Sequence, residues 1–210
     1  MKAWPGPDIS FKFMFCPLCN KKITASNNFD ITGIIEKHNK TLNTLKEVAY
    51  ERLLIERMEN DEALLDKNSN YYNKPAEYAI DKFMFFQCNV CKNPYFAGLK
   101  QCRGIIERNY KKEDLVCGGC CKLNGIPGVT DCRIHGKAYI DFKCRFCCSV
   151  ACWQCGSTHY CDDCHTKFPK EPKKCRGKKY CELNIEHPAN GEEFALGCSL
   201  CRYNKEEALS

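Results

Sequence analysis

The chain has 210 residues and 20 cysteines, a length typical of one or two domains and a cysteine content near that of disulfide or metal scaffolds. No apolar run reaches the roughly 18 residues of a membrane span, and the first residues show no apolar region or cleavage site of a secretory signal. We therefore expect an intracellular, cytoplasmic protein without a membrane span. In that compartment, repeated C-x2-C pairs with interspersed histidines indicate zinc rather than disulfides.

The formal net charge of +6 counts every thiol as neutral. Zinc ligands must be deprotonated, so four zinc ions held by about 14 thiolates and two neutral imidazoles would bring the net charge to about zero. The excess of basic over acidic residues therefore gives little support to a nucleic-acid partner, and no such partner is expected.

The first 22 residues contain one isolated C-x2-C pair, Cys16 and Cys19, after a run of aromatic residues. A single pair supplies half of a tetrahedral zinc site. The pattern WPGP-x-ISFKFMFCPLCNKKI resembles the last zinc-knuckle half of a RING domain, whose first half is absent from this chain.

A long helix is predicted from Asp30 to Asp66. Asp30 is a suitable N-cap, and apolar residues recur at steps of three or four along one face from Ile31 to Leu53. Arg52 is placed among the charged residues of the remaining surface. If continuous, this helix would be roughly 55 Å long. We interpret it as a solvated linker helix with one buried stripe.

A turn-rich stretch, 68–75, follows the helix and is a predicted joint. After a helical turn over 76–82, the sequence FMFFQCNVCKNPYFAG predicts two β-strands around a zinc knuckle at Cys88 and Cys91. The later segments are short and polar, so no large apolar core is expected. Metal binding would then supply much of the folding free energy.

The stretch 98–114 is polar, rich in lysine and arginine, and carries the lone Cys102, which has no partner at knuckle spacing. We expect a mobile loop with a thiol whose pKa the neighbouring cations could lower. A spare ligand or an inert exposed cysteine is the alternative.

Fourteen cysteines remain when the RING-like pair Cys16 and Cys19 and the four residues Cys102, Cys121, Cys152 and Cys155 are set aside. With His135 and His187 they make 16 candidate zinc ligands, enough for about four tetrahedral sites. They are Cys88, Cys91, Cys117, Cys120, Cys132, His135, Cys144, Cys147, Cys148, Cys161, Cys164, Cys175, Cys181, His187, Cys198 and Cys201. Adjacent residues rarely point at one metal, so Cys148 is assumed to serve a different zinc from Cys147. Spacing alone leaves the pairing between sites open. The predicted fold class is a small zinc-stapled α+β protein, with a long helix followed by an irregular multi-zinc region with short β-hairpins.

The motifs CNVCKNPYFAG, DLVCGGC, KCRFCCSVA and HPANGEEFALGCSLCR resemble the tandem-cysteine domain of the PHR (Pam/Highwire) ubiquitin ligases, the RING-Cys-relay class. The resemblance runs along nearly the whole chain. It implies a RING remnant over 1–22, a linker helix and joint over 23–75, and a zinc-binding catalytic domain over 76–210. The loop at about 98–114 would be its mediator loop.

The resemblance also implies an activity. A RING recruits a ubiquitin-loaded E2, and ubiquitin passes to Cys102, then to Cys155, and finally to a Thr or Ser hydroxyl of a protein substrate as an ester. His165 would be the base, and Asp114 would be the carboxylate that orients it. Tyr160 and Phe168 would line the pocket that accepts the hydroxyl.

Three departures from the family pattern leave alternatives open. The family has an aromatic residue after the downstream cysteine, whereas Cys155 is followed directly by Gly156; Cys152, followed by Trp153, is the alternative nucleophile. Asn184 stands where the family has a histidine, which favours His187 as a ligand. The first half of the RING is absent. A zinc-binding interaction module with impaired catalysis is therefore the rival interpretation.

Overall fold

The computed structural model describes residue 9 and residues 14–100, 111–121 and 130–207. Helix α1 spans Phe29–Ile55 and is capped by Asn28, whose side-chain oxygen accepts hydrogen bonds from two backbone N–H groups. The predicted cap at Asp30 is therefore wrong: Asp30 lies in the first turn, where its charge favours the helix dipole. No helix among the described residues is both long and apolar enough to cross a membrane.

The long helix also ends earlier than predicted. Glu56 caps α1, and Arg57 takes a positive φ of 54°, which turns the chain away from the helix axis. A separate short helix, α2, follows at Glu62–Leu65. The 27 residues of α1 correspond to about 40 Å rather than the predicted 55 Å.

Helix α3, Pro75–Lys82, leads into strand β1, Phe83–Gln87, which pairs antiparallel with β2, Pro94–Leu99. The two strands around the knuckle are confirmed. Four of the five β1 residues are buried, because α1 and α3 pack on one face of this hairpin and a second apolar cluster fills the other. This core is larger than the sequence suggested.

Two further antiparallel pairs complete the described sheets. Strand β3, Ile140–Phe142, pairs with β6, Ala195–Cys198. Strand β4, Trp153–Cys155, pairs with β5, Thr158–Tyr160, across a two-residue turn that begins with Gly156 at a φ of 62°. Helices α4, Asp162–Lys167, and α5, Ser199–Glu207, follow β5 and β6. The predicted class, α+β with one long helix and short hairpins, is confirmed.

Arg52 joins α1 to the rest of the fold and is not on the solvated surface as predicted. It is 5% exposed, its guanidinium pairs with Asp141 of β3 at 2.9 Å, and it lies 3.8 Å from the centre of the Phe96 ring. Arg202 of α5 pairs with the same carboxylate at 2.6 Å, and Glu56 pairs with Arg52 within α1. The helix is thereby fixed to the strands that carry the cysteine groups.

Candidate metal centres and thiol–imidazole site

Sixteen cysteine and histidine side chains gather into four groups, and within each group the ligand atoms lie within 4.8 Å of one another. In chain order of their first members, the groups are Cys88, Cys91, Cys117 and Cys120; Cys132, His135, Cys198 and Cys201; Cys144, Cys147, Cys161 and Cys164; and Cys148, Cys175, Cys181 and His187. They comprise the same sixteen residues that the sequence selected, and the structure adds their pairing. Four protein ligands per group is the number that a structural zinc site uses.

The spacing of the sulfurs suits a tetrahedral metal. The Sγ atoms of Cys91 and Cys117 are 3.8 Å apart, and those of Cys147 and Cys161 are 3.5 Å apart. Zinc with Zn–S bonds of about 2.3 Å separates its sulfurs by about 3.8 Å. The groups could therefore hold metal ions, and thiolate-rich tetrahedral sets favour zinc.

Each group also contains a sulfur that accepts a hydrogen bond from a backbone N–H at 3.4 Å. The accepting residues are Cys88, Cys132, Cys144 and Cys175. A hydrogen bond to sulfur favours the thiolate form and fixes the direction of the ligand, as outer-shell partners of metal sites do.

The two histidines present different ring nitrogens to their groups. The Nδ1 atom of His135 lies 3.4 Å from the sulfur of Cys198. In the fourth group, Nε2 of His187 lies 3.2 Å from the sulfur of Cys181, while its Nδ1 lies 2.7 Å from the carbonyl oxygen of Pro188. That contact requires a proton on Nδ1, which leaves Nε2 as the ligand atom.

Cys147 and Cys148 are adjacent in sequence but belong to the third and fourth groups, as the sequence analysis assumed. The third group is entirely buried. There, a hydrogen bond from Cys144 lowers the pKa of Cys147 to about 4, whereas burial raises the pKa of Cys164 to about 12. Four thiolates cannot coexist in such a site without a cation, and a divalent metal stabilises all of them together.

Of the described cysteines after residue 22, three lie outside the four groups: Cys121, Cys152 and Cys155. Burial raises the pKa of Cys121 to about 11, with Glu193 adding to the effect, and raises that of Cys152 to about 12. A thiol with such a pKa is almost wholly protonated near neutrality, so neither residue is suited to nucleophilic attack.

Cys155 lies on the same face of the β4–β5 hairpin as His165. Side chains alternate along a strand, so Cys155 shares its face with Trp153 and, through the strand register, with Thr158 and Tyr160. The imidazole of His165 is on this face, because it stacks on the Trp153 indole with ring centres 4.2 Å apart and planes 5° apart.

Cys152 directly precedes β4, and the alternation of side chains along the chain predicts the opposite face for it. It immediately precedes Trp153, and it lines a cavity beside Arg52 and Val150. Between the two candidate nucleophiles that the sequence left open, the alternation of the strand favours Cys155.

His165 sits in an aromatic pocket. Its ring centre is 5.2 Å from that of Phe168 and 6.2 Å from that of Tyr160, and the latter two are 5.6 Å apart. Phe168 ends α4 in the left-handed region at a φ of 42°, a strained conformation for a bulky residue. Burial lowers the pKa of His165, so its imidazole is neutral at pH 7 and able to accept a proton.

Two residues that the sequence did not single out complete this pocket. The indole Nε1–H of Trp153 donates to the carboxylate of Asp162 at 3.1 Å. That carboxylate raises the pKa of His165 and so opposes the effect of burial. The aspartate pair before Cys164 was the available signal for this contact, but only the hairpin brings Trp153 back to it.

Cys102 lies outside the described residues, but both ends of its stretch contact β4. At one end, a Cβ on Gly98 would lie 2.8 Å from the backbone oxygen of Cys152, so only glycine permits this approach. At the other end, the backbone oxygen of Asp114 accepts a hydrogen bond from Gln154 Nε2 at 3.3 Å. The predicted role of the Asp114 carboxylate stays a prediction.

Known proteins that resemble this chain include two that match it along nearly its whole length. The chain is 34% identical over 217 aligned positions to the E3 ubiquitin-protein ligase MYCBP2 of Danio rerio, covering 95% of this chain and 5% of that protein. It is likewise 34% identical to the E3 ubiquitin-protein ligase highwire of Drosophila melanogaster, covering 96% of this chain and 4% of that protein. No family model matches the chain. The chain thus spans about one-twentieth of the length of these relatives.

The fold and its four cysteine groups define a small α+β protein with short strand pairs and four groups that could hold metal ions. The similarity along nearly the whole chain identifies the lineage: the chain belongs to the PHR family, to which MYCBP2 and Highwire belong.

Proposed function

We propose that this chain is the ubiquitin-transferring part of an E3 ubiquitin-protein ligase of the cysteine-relay class. Both curated relatives carry the name E3 ubiquitin-protein ligase. The observation that carries the proposal is the placement of Cys155, outside every metal group, on the hairpin face that holds His165. A thiol and a neutral imidazole on one face are what thioester formation and acyl transfer to a hydroxyl require.

In the first step, a ubiquitin-loaded E2 passes ubiquitin to Cys102, and the thiolate of Cys155 then attacks the carbonyl carbon of that thioester. The new C–S bond forms at Cys155 as the bond to Cys102 breaks and its thiolate leaves. Cys102 is four residues from Gly98, which lies against β4, so an extended chain could carry its thiol up to about 14 Å from that point.

In the second step, a Thr or Ser hydroxyl of the protein substrate attacks the Cys155 thioester. His165 accepts the hydroxyl proton as the C–O bond forms, the Cys155 thiolate leaves, and the imidazolium returns a proton to it. An alcohol is a poor nucleophile at neutral pH, so a positioned base is needed. The rings of Tyr160 and Phe168 would contact the methyl group of threonine and leave little room for a lysine chain.

The metal ions would have a structural role. With four protein ligands in each group, no position is left for water or substrate, which is the arrangement of a structural zinc site. The third group holds Cys161 and Cys164 around α4 and so positions His165. The fourth holds the segment after Phe168.

The proposal is tested by supplying ubiquitin with and without an E2. The zinc-loaded chain is incubated with a ubiquitin C-terminal thioester of a small thiol, which bypasses E2, and in parallel with E1, E2 and ubiquitin; free threonine is then added. We expect a thiol-labile adduct on the protein and a ubiquitin–threonine product that hydroxylamine cleaves.

Cys121→Ala is the matched control, because this half-buried thiol lies outside the metal groups as Cys155 does. Cys155→Ala should abolish threonine esterification from either donor. Cys102→Ala should abolish it from the E2 and reduce it less from the small thioester. Undiminished product from Cys155→Ala would rule the mechanism out.

A zinc-binding interaction module is the second candidate, favoured by one feature. Cys155 is followed directly by Gly156 at the turn, so no aromatic side chain flanks the thiol on that side. Iodoacetamide separates the two functions, because an interaction module needs no reactive thiol. If neither Cys102 nor Cys155 is alkylated in the folded, zinc-loaded protein, the second candidate is the better description.

A further inference from the structure

A basic segment, residues 167–179, begins at the aromatic pocket and runs to the fourth cysteine group. It contains seven of the 32 Lys and Arg residues but one of the 26 Asp and Glu residues, so this segment alone has a formal charge of +6, equal to that of the whole chain. Except for the half-buried Pro169 and Cys175, its described side chains are exposed. Charge of one sign concentrated on an exposed stretch attracts a partner of the opposite sign.

The basic segment is held in a defined position. The backbone N–H of Lys173 donates to the carbonyl oxygen of Phe146 at 2.8 Å, and its own carbonyl accepts from the side chain of Asn190 at 2.6 Å. Cys175 belongs to the fourth group, which would anchor the far end of the segment. These contacts make it a surface with a fixed place beside the pocket.

Part of its charge is already satisfied within the protein. Lys167 and Lys173 both pair with the Asp163 carboxylate. In contrast, the side chains of Lys170, Lys174 and Arg176 make no hydrogen bond, ion pair or ring contact with any described residue. A zinc ion with the three thiolates and one imidazole of the fourth group would add a net charge of only about −1. Three exposed cations therefore remain for a partner.

The basic segment borders the site where the acceptor hydroxyl would react. Lys167 directly precedes Phe168, whose ring is 5.2 Å from that of His165. Phe146, the backbone partner of Lys173, stacks on Tyr160 at 5.3 Å. An occupant of the pocket would thus have its neighbouring residues beside the basic segment.

We infer that the basic segment binds an acidic stretch of the protein substrate and thereby presents an adjacent Thr or Ser to His165. This inference rests on the proposed function, and it names the substrate class: hydroxyl acceptors flanked by Asp and Glu. A protein partner is favoured over nucleic acid because the pocket beside the segment would take a protein side chain.

Binding is measured first, without ubiquitin. A fluorescent peptide with one threonine and four flanking Asp and Glu residues, and a matched peptide with Asn and Gln instead, are titrated with the zinc-loaded full chain and followed by anisotropy. The acidic peptide should bind more tightly, and raising NaCl from about 0.05 to 0.3 M should weaken its binding, because the Debye length falls below 10 Å. The triple variant K170Q/K174Q/R176Q should bind it roughly tenfold more weakly, as expected for the loss of three exposed charge pairs.

The matched control is K37Q/K40Q/K67Q, which removes three exposed lysines outside the basic segment and should leave binding unchanged. K170R/K174R/R176K, which keeps the charge, should also bind as the parent chain does. Equal affinity of the acidic and neutral peptides, or full binding by K170Q/K174Q/R176Q, would overturn the inference. So would tighter binding of a single-stranded oligonucleotide of about 20 residues that displaces the acidic peptide.

The failure of the proposed function would look different. If the acidic peptide binds as expected but no ester forms on any threonine, the basic segment is supported and the relay is wrong. If esterification proceeds, K170Q/K174Q/R176Q should raise KM for the acidic peptide, with kcat and the discharge to free threonine unchanged. A fall in kcat with unchanged KM would contradict substrate recruitment.

Discussion

The imidazole of His165 lies parallel to the indole of Trp153, with 4.2 Å between ring centres, and the Trp153 Nε1–H donates to Asp162. A helix residue and a strand residue are thereby fixed against each other on the face that carries Cys155. Trp153 is therefore a positioning residue for the proposed base: it touches the imidazole and is itself oriented by a carboxylate.

Trp153→Phe should preserve a ring against His165 but lose the hydrogen bond to Asp162. We expect a moderate fall in threonine esterification, roughly threefold to tenfold, with ubiquitin loading of Cys155 unchanged. Threonine esterification by Trp153→Ala should fall further, because the stacking surface for His165 is itself lost. Loading and discharge are measured separately on gels under non-reducing conditions; equal loss in both steps would indicate a general folding defect instead.

The pH dependence of discharge follows from the lowered pKa of His165. Its neutral form is the proposed base, so the discharge rate should be constant above the ordinary histidine value of about 6.5 and should fall only when pH drops below it. Asp162→Asn removes the carboxylate that raises this pKa, so the pH below which the discharge rate falls should be lower in this variant. A shift of that pH to a higher value would contradict the proposed role of His165 as the base.

Zinc content tests the four groups. Elemental analysis of the native protein should give about four zinc ions per chain. Cys148→Ser should lower this by one without affecting the third group, although Cys147 is its neighbour, whereas Cys121→Ser should leave the content unchanged. A chelator that removes all zinc should abolish the cooperative unfolding transition. Loss of two ions from Cys148→Ser would contradict the separation of the two groups.

Arg52 offers a test of the fold that does not involve metal. Arg52→Met leaves the Asp141 carboxylate, which is 10% exposed, with Arg202 alone, and should lower the free energy of unfolding by about 3–5 kcal/mol. Lys46→Met, which breaks an exposed pair with Glu77, is the control and should change it by less than about 1 kcal/mol. Denaturant titration of both zinc-loaded variants measures the difference; equal effects would mean that the buried pair contributes little.

The sequence predicted the local features well. The C-x2-C spacings select the ligands because both thiols of a turn must reach one metal, and the hairpin around Cys88 follows from apolar runs flanking that turn. Which C-x2-C pairs share a group, such as the pairs that contain Cys144 and Cys161, depends on how segments distant in sequence come together. The spacing within each pair does not encode this. Arg52 was misplaced because a charged residue on a helix is ordinarily solvated, and its partner Asp141 is 89 residues away.

Contacts between distant segments also explain which residues of the thiol–imidazole site the sequence did not reveal. Tyr160 and Phe168 were inferred from a family resemblance and lie around His165. The sequence marked Trp153 only as the aromatic residue after Cys152, and its contact with His165 exists only because β4 and α4 meet across the hairpin. Strand alternation favours Cys155 over Cys152, and this choice, which the one-residue gap in the family pattern leaves open, stays a prediction.

The central claim is that Cys155 carries ubiquitin, and Cys155→Ser tests it most directly. With a serine hydroxyl at the acceptor position, transferred ubiquitin should be trapped as an oxygen ester that survives thiol reductant, and mass spectrometry of the digested adduct should place ubiquitin's C-terminal glycine residues at position 155. The matched Cys152→Ser variant should keep the thiol-labile adduct, because burial raises the Cys152 pKa to about 12. A reductant-stable adduct with Cys152→Ser, or the absence of any reductant-stable adduct at position 155 in Cys155→Ser while Cys102 still loads, would contradict the account.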